Sequence, residues 1–435
     1  MTRSVSISSL LLLALALGAT ASPSDTLRLS LEEAMETARH AGYAAQASAS
    51  RSRESSARTA EARSALLPHI GATASDVVRS YNAATFGITF PGVSHVDAFQ
   101  VQDARVGARM TVWDYSAWKR YRAAQRSEDK AGLDQKAGEE DAALAGAEAY
   151  LALLRARSLV RARGEEVALA EQLDTLTGAQ KKAGSITQLE VLRARGQVAS
   201  AHMALAAAIG EEASARYVLL QVLNQPLDLE IATKDTLSVS AIALDGSAGA
   251  RGLDAGAQGR PDVAAAAAEA DEAQAELEAA RAGFFPTVEA SGDYGLSGRR
   301  LYTGGAQWTE DAAVQLNWSL WDGGGRGARI RQREEKVRQA TLKLNEARSR
   351  AGRDARLQNA MLAAASEEAS RAADRAALAE EEARLATEKF RAGSSGNLDV
   401  ISAQASVSAA HEAYVNSLYG YNRTRLEFLR AIHLL

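Results

Sequence analysis

The sequence predicts a mainly α protein with a small β part, built on long antiparallel helical hairpins, and three observations carry that reading. The 435-residue chain contains a duplicated unit of about 200 residues, long stretches free of proline, and four segments in which apolar and polar residues strictly alternate.

The duplication is read from anchors that occur in the same order twice. Ala62-Arg63-Ser64-Ala65-Leu66-Leu67-Pro68 aligns with Ala280-Arg281-Ala282-Gly283-Phe284-Phe285-Pro286, an offset of 218. Val112-Trp113-Asp114 aligns with Leu320-Trp321-Asp322 at 208, so the second copy is shorter by ten residues between these anchors. Ala183-Gly184-Ser185 then aligns with Ala392-Gly393-Ser394 at 209. A period this long is far from that of a solenoid repeat.

Each copy carries two candidate strands. Val288, Ala290, Gly292, Tyr294 and Leu296 alternate with Thr287, Glu289, Ser291, Asp293 and Ser297, and Val314, Leu316, Trp318 and Leu320 alternate with Gln315, Asn317 and Ser319. In the first copy Val106, Ala108, Met110 and Val112 oppose Arg105, Gly107, Arg109 and Thr111, with Ile70, Ala72 and Ala74 as a weaker partner. Four strands are the whole expected β content. The rest reads as helix: from Ser116 to Lys182 and from Arg326 to Arg391 proline is absent and good helix formers dominate. Each run would extend roughly 100 Å at 1.5 Å per residue. Ile330, Val337 and Leu344 recur every seven residues, with Ala340 and Ala347 on the same stripe, as side-by-side helix packing requires. Gly184 and Gly393 are suited to the left-handed turn that ends such a helix, Thr187 to Glu190 has capping-box form, and Asn397 is the expected N-cap of the last helix.

Composition excludes several classes. Fifty Lys and Arg against 54 Asp and Glu give a net charge of −4 with no basic block, so nucleic acid is not an expected partner. With no cysteine there are no disulfides, thiolate ligands or lipidated N-terminal Cys. Arg3, the apolar run Leu10 to Leu17 and Ala19-Thr20-Ala21 form a signal peptide to be cleaved after Ala21. The chain thus divides into a signal peptide at 1–21, a first repeat at 22–225, a linker at 226–259 and a second repeat at 260–435. The first repeat has strands near 69–78 and 100–113 and helices near 31–66, 116–182 and 188–224; the second has strands near 287–297 and 311–321 and helices near 261–284, 326–391 and 397–432.

Enzyme signatures are weak. Gly323 to Ala328 fits the glycine pattern of a dinucleotide loop, but its strand alternates and no βαβ succession surrounds it. The six histidines show no paired helical spacing, so neither a metal nor another cofactor is expected, and no catalytic residue is assigned. The strands, in contrast, have the length and single apolar face of tilted membrane-spanning strands, and all five tryptophans fall in or beside them. Trp113, Trp308, Trp318 and Trp321 are the candidate membrane-interface aromatics in contact with lipid, the alternative being an ordinary soluble antiparallel sheet, which alternates in the same way. Four strands cannot close a barrel and an open edge cannot sit in lipid, so several chains would pool their strands.

With its duplicated halves, Ser30-Leu31-Glu32-Glu33-Ala34, Arg260-Pro261-Asp262-Val263, Phe284-Phe285-Pro286, Trp321-Asp322-Gly323-Gly324 and Arg391-Ala392-Gly393, the chain resembles the TolC-type outer membrane efflux proteins. The resemblance implies a homotrimer in the outer membrane of a Gram-negative bacterium. Its three chains would contribute twelve strands to one β-barrel and their long hairpins to a periplasmic α-barrel. It further implies a duct for small molecules, fed by an inner membrane transporter through a periplasmic adaptor. Exit of secreted polypeptide and a non-channel periplasmic scaffold are the alternatives. By the same resemblance Asp399 falls at the periplasmic gate, with Ser402 where relatives carry a second acid. The turns Gly184-Ser185-Ile186-Thr187 and Gly393-Ser394-Ser395-Gly396 fall at the adaptor contact. Three carboxylates on a symmetry axis would favour cations. On the residues alone, Asp399 also serves simply as an acid in a first helical turn, and the glycines as turn formers.

Overall fold

The computed structural model describes residues 26–82, 95–238, 250–301 and 305–434. The expected signal peptide at 1–21 and part of the linker, 239–249, lie outside the described residues. In chain order the elements are β1 (Thr26–Leu29), α1 (Leu31–Ala41), α2 (Tyr43–Ser64), β2 (His69–Asn82), β3 (His95–Asp114), α3 (Tyr115–Lys182) and α4 (Gln188–Val222). There follow β4 (Glu230–Thr233), α5 (Ala250–Gln258), α6 (Pro261–Ala282), β5 (Thr287–Gly298), β6 (Ala306–Asn317), α7 (Gly325–Arg391) and α8 (Asn397–Ala431).

The described residues gather into two compact units that cut across the sequence copies. One draws on Met1–Gly42, Ala145–Ser240 and Glu368–Arg423; the other on Tyr43–Leu144, Ala241–Glu367 and Thr424–Leu435. Each unit therefore takes segments from both repeats, and α3, α7 and α8 each supply residues to both.

The duplication is visible in backbone geometry. α4 and α8 are both 35 residues long. Their ends are matched too: Asn224 (φ 54°) and His433 (φ 57°), 209 residues apart, take the same left-handed conformation just past the last turn. Gln225 N–H donates to Leu220 O at 2.8 Å, and Leu434 N–H to Leu429 O at 2.8 Å, so the terminal carbonyls are satisfied alike in both copies. α2 and α6 are both 22 residues long and precede equivalent strands.

Three expectations are corrected. The helix expected over 31–66 is two helices broken at Gly42, where a Cβ would lie 3.1 Å from Val222 O and 2.5 Å from Ala38 O. The close approach to the end of α4 requires a residue without a side chain and turns the backbone out of the helix. The β content exceeds four strands, because β1 and β4 form a parallel pair with Thr26 opposite Glu230. Finally, β6 ends at Asn317 and not near 321, so Trp318 and Trp321 lie in the segment that leads to α7.

Alanine dominates the buried positions of the long helices, which lets their axes approach closely. In the unit that holds β1 and β4, Tyr150 of α3 is fully buried and its hydroxyl is 3.0 Å from both Leu29 O and Asp235 Oδ2. Burial, followed by the Asp235 contact, pushes the Tyr150 phenol above its ordinary range and keeps it protonated. Asp235 Oδ2 also accepts from Leu31 N–H at 2.7 Å, tying the start of α1 to the segment that follows β4. No helix among the described residues is long and apolar enough to cross a membrane.

Candidate functional site: an amphipathic sheet and two matched hairpin tips

β2, β3, β5 and β6 form one antiparallel sheet in that order. Period-two alternation would be lost by a one-residue slip, and the register keeps the four apolar faces together. Ile70 pairs with Ala108, Ala108 with Gly292 and Gly292 with Ala312; likewise Met110 pairs with Ala290, and Ala290 with Val314. This face is open to its surroundings, with Ile70 and Val314 each 76% exposed. From Ala104 to Trp113 on β3 the apolar rows run about 30 Å along the strand at ~3.4 Å per residue. With a tilt of roughly 40° the band is about 23 Å tall, against roughly 25 Å for the apolar band of outer membrane barrels. Glu310, opposite Tyr294, is the exception, one row from the end of the band where charge costs least.

Aromatic rings mark both ends of that band. At one end Trp308 stacks on Tyr294, with centroids 4.8 Å apart. At the other, Trp113, Trp318 and Trp321 are all exposed, Trp321 at 85%. Trp318 Nε1–H donates to Phe284 O at 3.1 Å, which satisfies its polar atom and leaves its ring outward. Tyr115 lies edge-on to Phe285 and stacks on Trp118, at 5.2 and 5.9 Å. The four tryptophans therefore lie at two levels of the sheet, with Tyr115, Tyr294, Phe284 and Phe285 beside them. The phenylalanines stand in the Phe-Phe-Pro segment that answers Leu66-Leu67-Pro68 of the first copy, the one sequence signal that could have named them.

The opposite face is polar. Arg105 Nη1 donates to Asp293 Oδ1 at 2.6 Å and lies 3.6 Å from Asp311 Oδ2, while its Nε and Nη2 hold Asp103 at 2.6 and 2.5 Å. Asp293 and Asp311 are direct cross-strand partners. Their repulsion would destabilise the sheet without the guanidinium between them. Sequence reasoning did not single out this cluster, because it exists only once β3, β5 and β6 are in register.

The expected loop glycines after the sheet form a turn. Gly323 and Gly324 have φ of 69° and 88°, and Asp322 Oδ2 accepts from Arg326 N–H at 2.8 Å. The start of α7 is therefore already held by a carboxylate, and the preceding sheet is antiparallel, unlike a dinucleotide site.

The other unit holds the two hairpin tips, which repeat each other bond for bond. Gly184 and Gly393 have φ of 76° and 72°. Ser185 N–H donates to Gln180 O and Gly184 N–H to Lys181 O; at the second tip Ser394 donates to Lys389 O and Gly393 to Phe390 O, all within 2.9–3.0 Å. Lys181, Lys182, Lys389 and Arg391 in the last turns of α3 and α7 complement the helix dipoles. Thr187 N–H donates to Glu190 Oε2 at 2.7 Å at the start of α4.

Asn397 is the first residue of α8 and not its N-cap. It is fully buried, and its Nδ2 donates to Glu190 O at 2.6 Å, so it clasps one tip to the other. Leu173, Ala194, Phe390 and Val400 form the small core beneath the clasp. Asp399 and Ser402 are exposed near the start of α8, and the Ser402 hydroxyl donates to Asp399 O at 2.9 Å. Ser185, Thr187, Ser394 and Gly396 are exposed and Ser395 is half-buried. Ile186 is half-buried as well, so the more exposed apolar side chains beside the tips are Leu189, Leu192 and Leu398, at 54–56%.

Residues 253–432 match the family described as outer membrane efflux protein. The chain is 28% identical over 306 residues to Protein CyaE of Bordetella pertussis, a match that spans 68% of this chain and 62% of that protein's length. In fold it is similar to the outer membrane protein VceC of Vibrio cholerae, with a TM-score of 0.76 at 17% identity over 92% of this chain and 95% of that one. The Campylobacter jejuni CmeC outer membrane channel gives a TM-score of 0.76 at 15% identity over 92% and 85%.

Proposed function

We propose that this chain, whose residues 253–432 match the outer membrane efflux protein family, is a TolC-type exit duct of a tripartite efflux system. The family resides in the outer membrane of Gram-negative bacteria and extends a large helical part into the periplasm. The observation that carries the further reading is an open four-stranded sheet with one apolar face and two unpaired rims, β2 and β6, among the described residues. Lipid does not tolerate unmet peptide groups, so each rim needs a partner. Pairing β6 of one copy with β2 of the next closes a ring, and three copies give twelve strands, well within the range of outer membrane barrels.

The long hairpins then continue the tube into the periplasm. Their tips, with Asp399 at the mouth, meet a periplasmic adaptor, and an inner membrane pump delivers small molecules that leave passively. The duct performs no catalysis, so its selectivity comes from charge and width. The test is biochemical: protein extracted with detergent is expected to run as a heat-modifiable trimer, to form channels in planar bilayers, and to co-purify with an adaptor and a transporter. A mature chain that is monomeric and freely soluble after cell disruption would leave only the scaffold reading. Export of a polypeptide in place of small molecules would turn the reading toward secretion.

A further inference from the structure

Where the helices meet the sheet, α2, α3, α6 and α7 line an open cavity of about 620 Å³. Five arginines line it, Arg58, Arg120, Arg326, Arg329 and Arg333, against two acids, Glu272 and Glu276. Two of the arginines are committed to the fold. Arg326 is buried and donates to Gly283 O and to both oxygens of Ser319, and Arg333 pairs with Glu276. The other three are 60–73% exposed and hold one carboxylate each: Arg58 with Glu54 at 2.6 Å, Arg120 with Asp114 at 3.3 Å and Arg329 with Asp322 at 3.3 Å. Asp322 is shared, since the same oxygen accepts from Arg326 N–H, and Arg120 adds only a bond to Ser116 Oγ at 2.7 Å. A guanidinium has five N–H donors, so each of the three keeps most of them for an incoming acceptor.

The cavity opens on the side of α3 opposite Trp118. On α3 its lining residues Ser116, Arg120, Ala123 and Ser127 form one stripe, and Trp118 and Arg122 lie about half a turn round. Trp118 belongs to the aromatic level at the foot of the apolar band, where it carries the Arg122 guanidinium 5.5 Å from its ring centre. The arginine stripe therefore shares the side of the polar sheet face. On that face Arg105 is surrounded by three aspartates, whereas the cavity below has an excess of arginine, so the sign of the lining changes between the two levels.

We propose that this arginine basin is a transit site for an anionic group, carboxylate, phosphate or sulfate, on molecules passing through the duct, with Arg58, Arg120 and Arg329 as its main donors. The proposal rests on the duct reading and adds a class of cargo to it. Such a group would exchange singly held carboxylates for a shared acceptor among three guanidiniums, whose like charges in one cleft add to the attraction.

The experiment records single channels of the full-length trimer in bilayers of phosphatidylcholine alone, with inorganic tripolyphosphate added on the side of the Trp308 end of the sheet. The zwitterionic lipid supplies no anionic headgroup in excess, so block that grows with tripolyphosphate concentration comes from the aqueous probe. The expected result is reversible block that weakens at least tenfold in Arg120→Gln/Arg329→Gln and about threefold in Arg58→Gln, with Arg122→Gln on the opposite face unchanged. The single Arg58 variant, at an exposed position on α2, keeps the test valid if the double variant does not assemble. Block that is absent, or unchanged in Arg58→Gln and in any double variant that assembles, or equally weakened in Arg122→Gln, overturns the proposal while the conductance preserves the duct. A wild-type trimer with no conductance removes both.

Discussion

Asp399 is exposed in the first turn of α8, and no side chain among the described residues pairs with its carboxylate. If three copies converge there, the carboxylates repel one another and hold cations. Asp399→Ala is then expected to raise single-channel conductance and weaken block by multivalent cations; unchanged recordings would leave the residue a dipole partner only. Gly393 has open space around its missing Cβ but a φ of 72°. Gly393→Trp is expected to abolish export with the trimer retained, the side chain obstructing the adaptor, at a backbone cost of about 1–2 kcal/mol. Loss of the trimer would make the residue structural. Asn397→Ala removes the clasp to Glu190 O and should destabilise the tip by about 1 kcal/mol, read as faster amide exchange around Glu190 and Val400. Asn397 was legible as a helix-start residue, but its partner lies 207 positions away, and no local pattern announces that.

At the level of elements, periodic signals were legible and non-local ones were not. On α7 the stripe Ile330, Val337, Ala340, Leu344 and Ala347 is less exposed than the residues between, because a seven-residue repeat is a property of one segment. The β1–β4 pair escaped notice for the opposite reason: two four-residue strands have too little alternation to detect, and tertiary bonds decide their pairing. One of those bonds titrates. Glu33 accepts from Lys234 Nζ at 2.5 and 2.8 Å and from Ser30 N–H at 2.8 Å, and the Lys234 bond, then Ser30, holds its carboxyl below the ordinary glutamate range. A depressed folded-state pKa stabilises above the unfolded value and is lost as pH falls through the folded one. Exchange at Lys234 N–H, bonded to Leu29 O, should therefore quicken below about pH 4 in the wild type and lose that step in Glu33→Gln. A step of equal size in the variant would dismiss Glu33 as its source. The four-stranded register was equally illegible: alternation told which residues share a face, while Arg105 meets Asp293 only through pairing 188 positions apart.

For the whole molecule, the duplicated sequence does not fold as two sequential domains. Each compact unit draws on both copies, so a fragment containing a single repeat would lack half of the sheet and one of the two clasped tips. We expect residues 22–225 expressed alone to fail to give an ordered sheet, as circular dichroism and protease resistance would report; a folded, resistant fragment would contradict this dependence.

If the chain closes a pore as proposed, the rims formed by β2 and β6 also matter before that pore exists. In water, on the way from one bilayer to the other, each newly made polypeptide exposes a greasy plane bordered by two adhesive seams. Nothing in those seams counts to three, so crowded newcomers would zip into ribbons of indefinite length. On the duct reading, delivery would have to be escorted, by carriers that cover the plane and release it only where a neighbour and a lipid surface are both within reach.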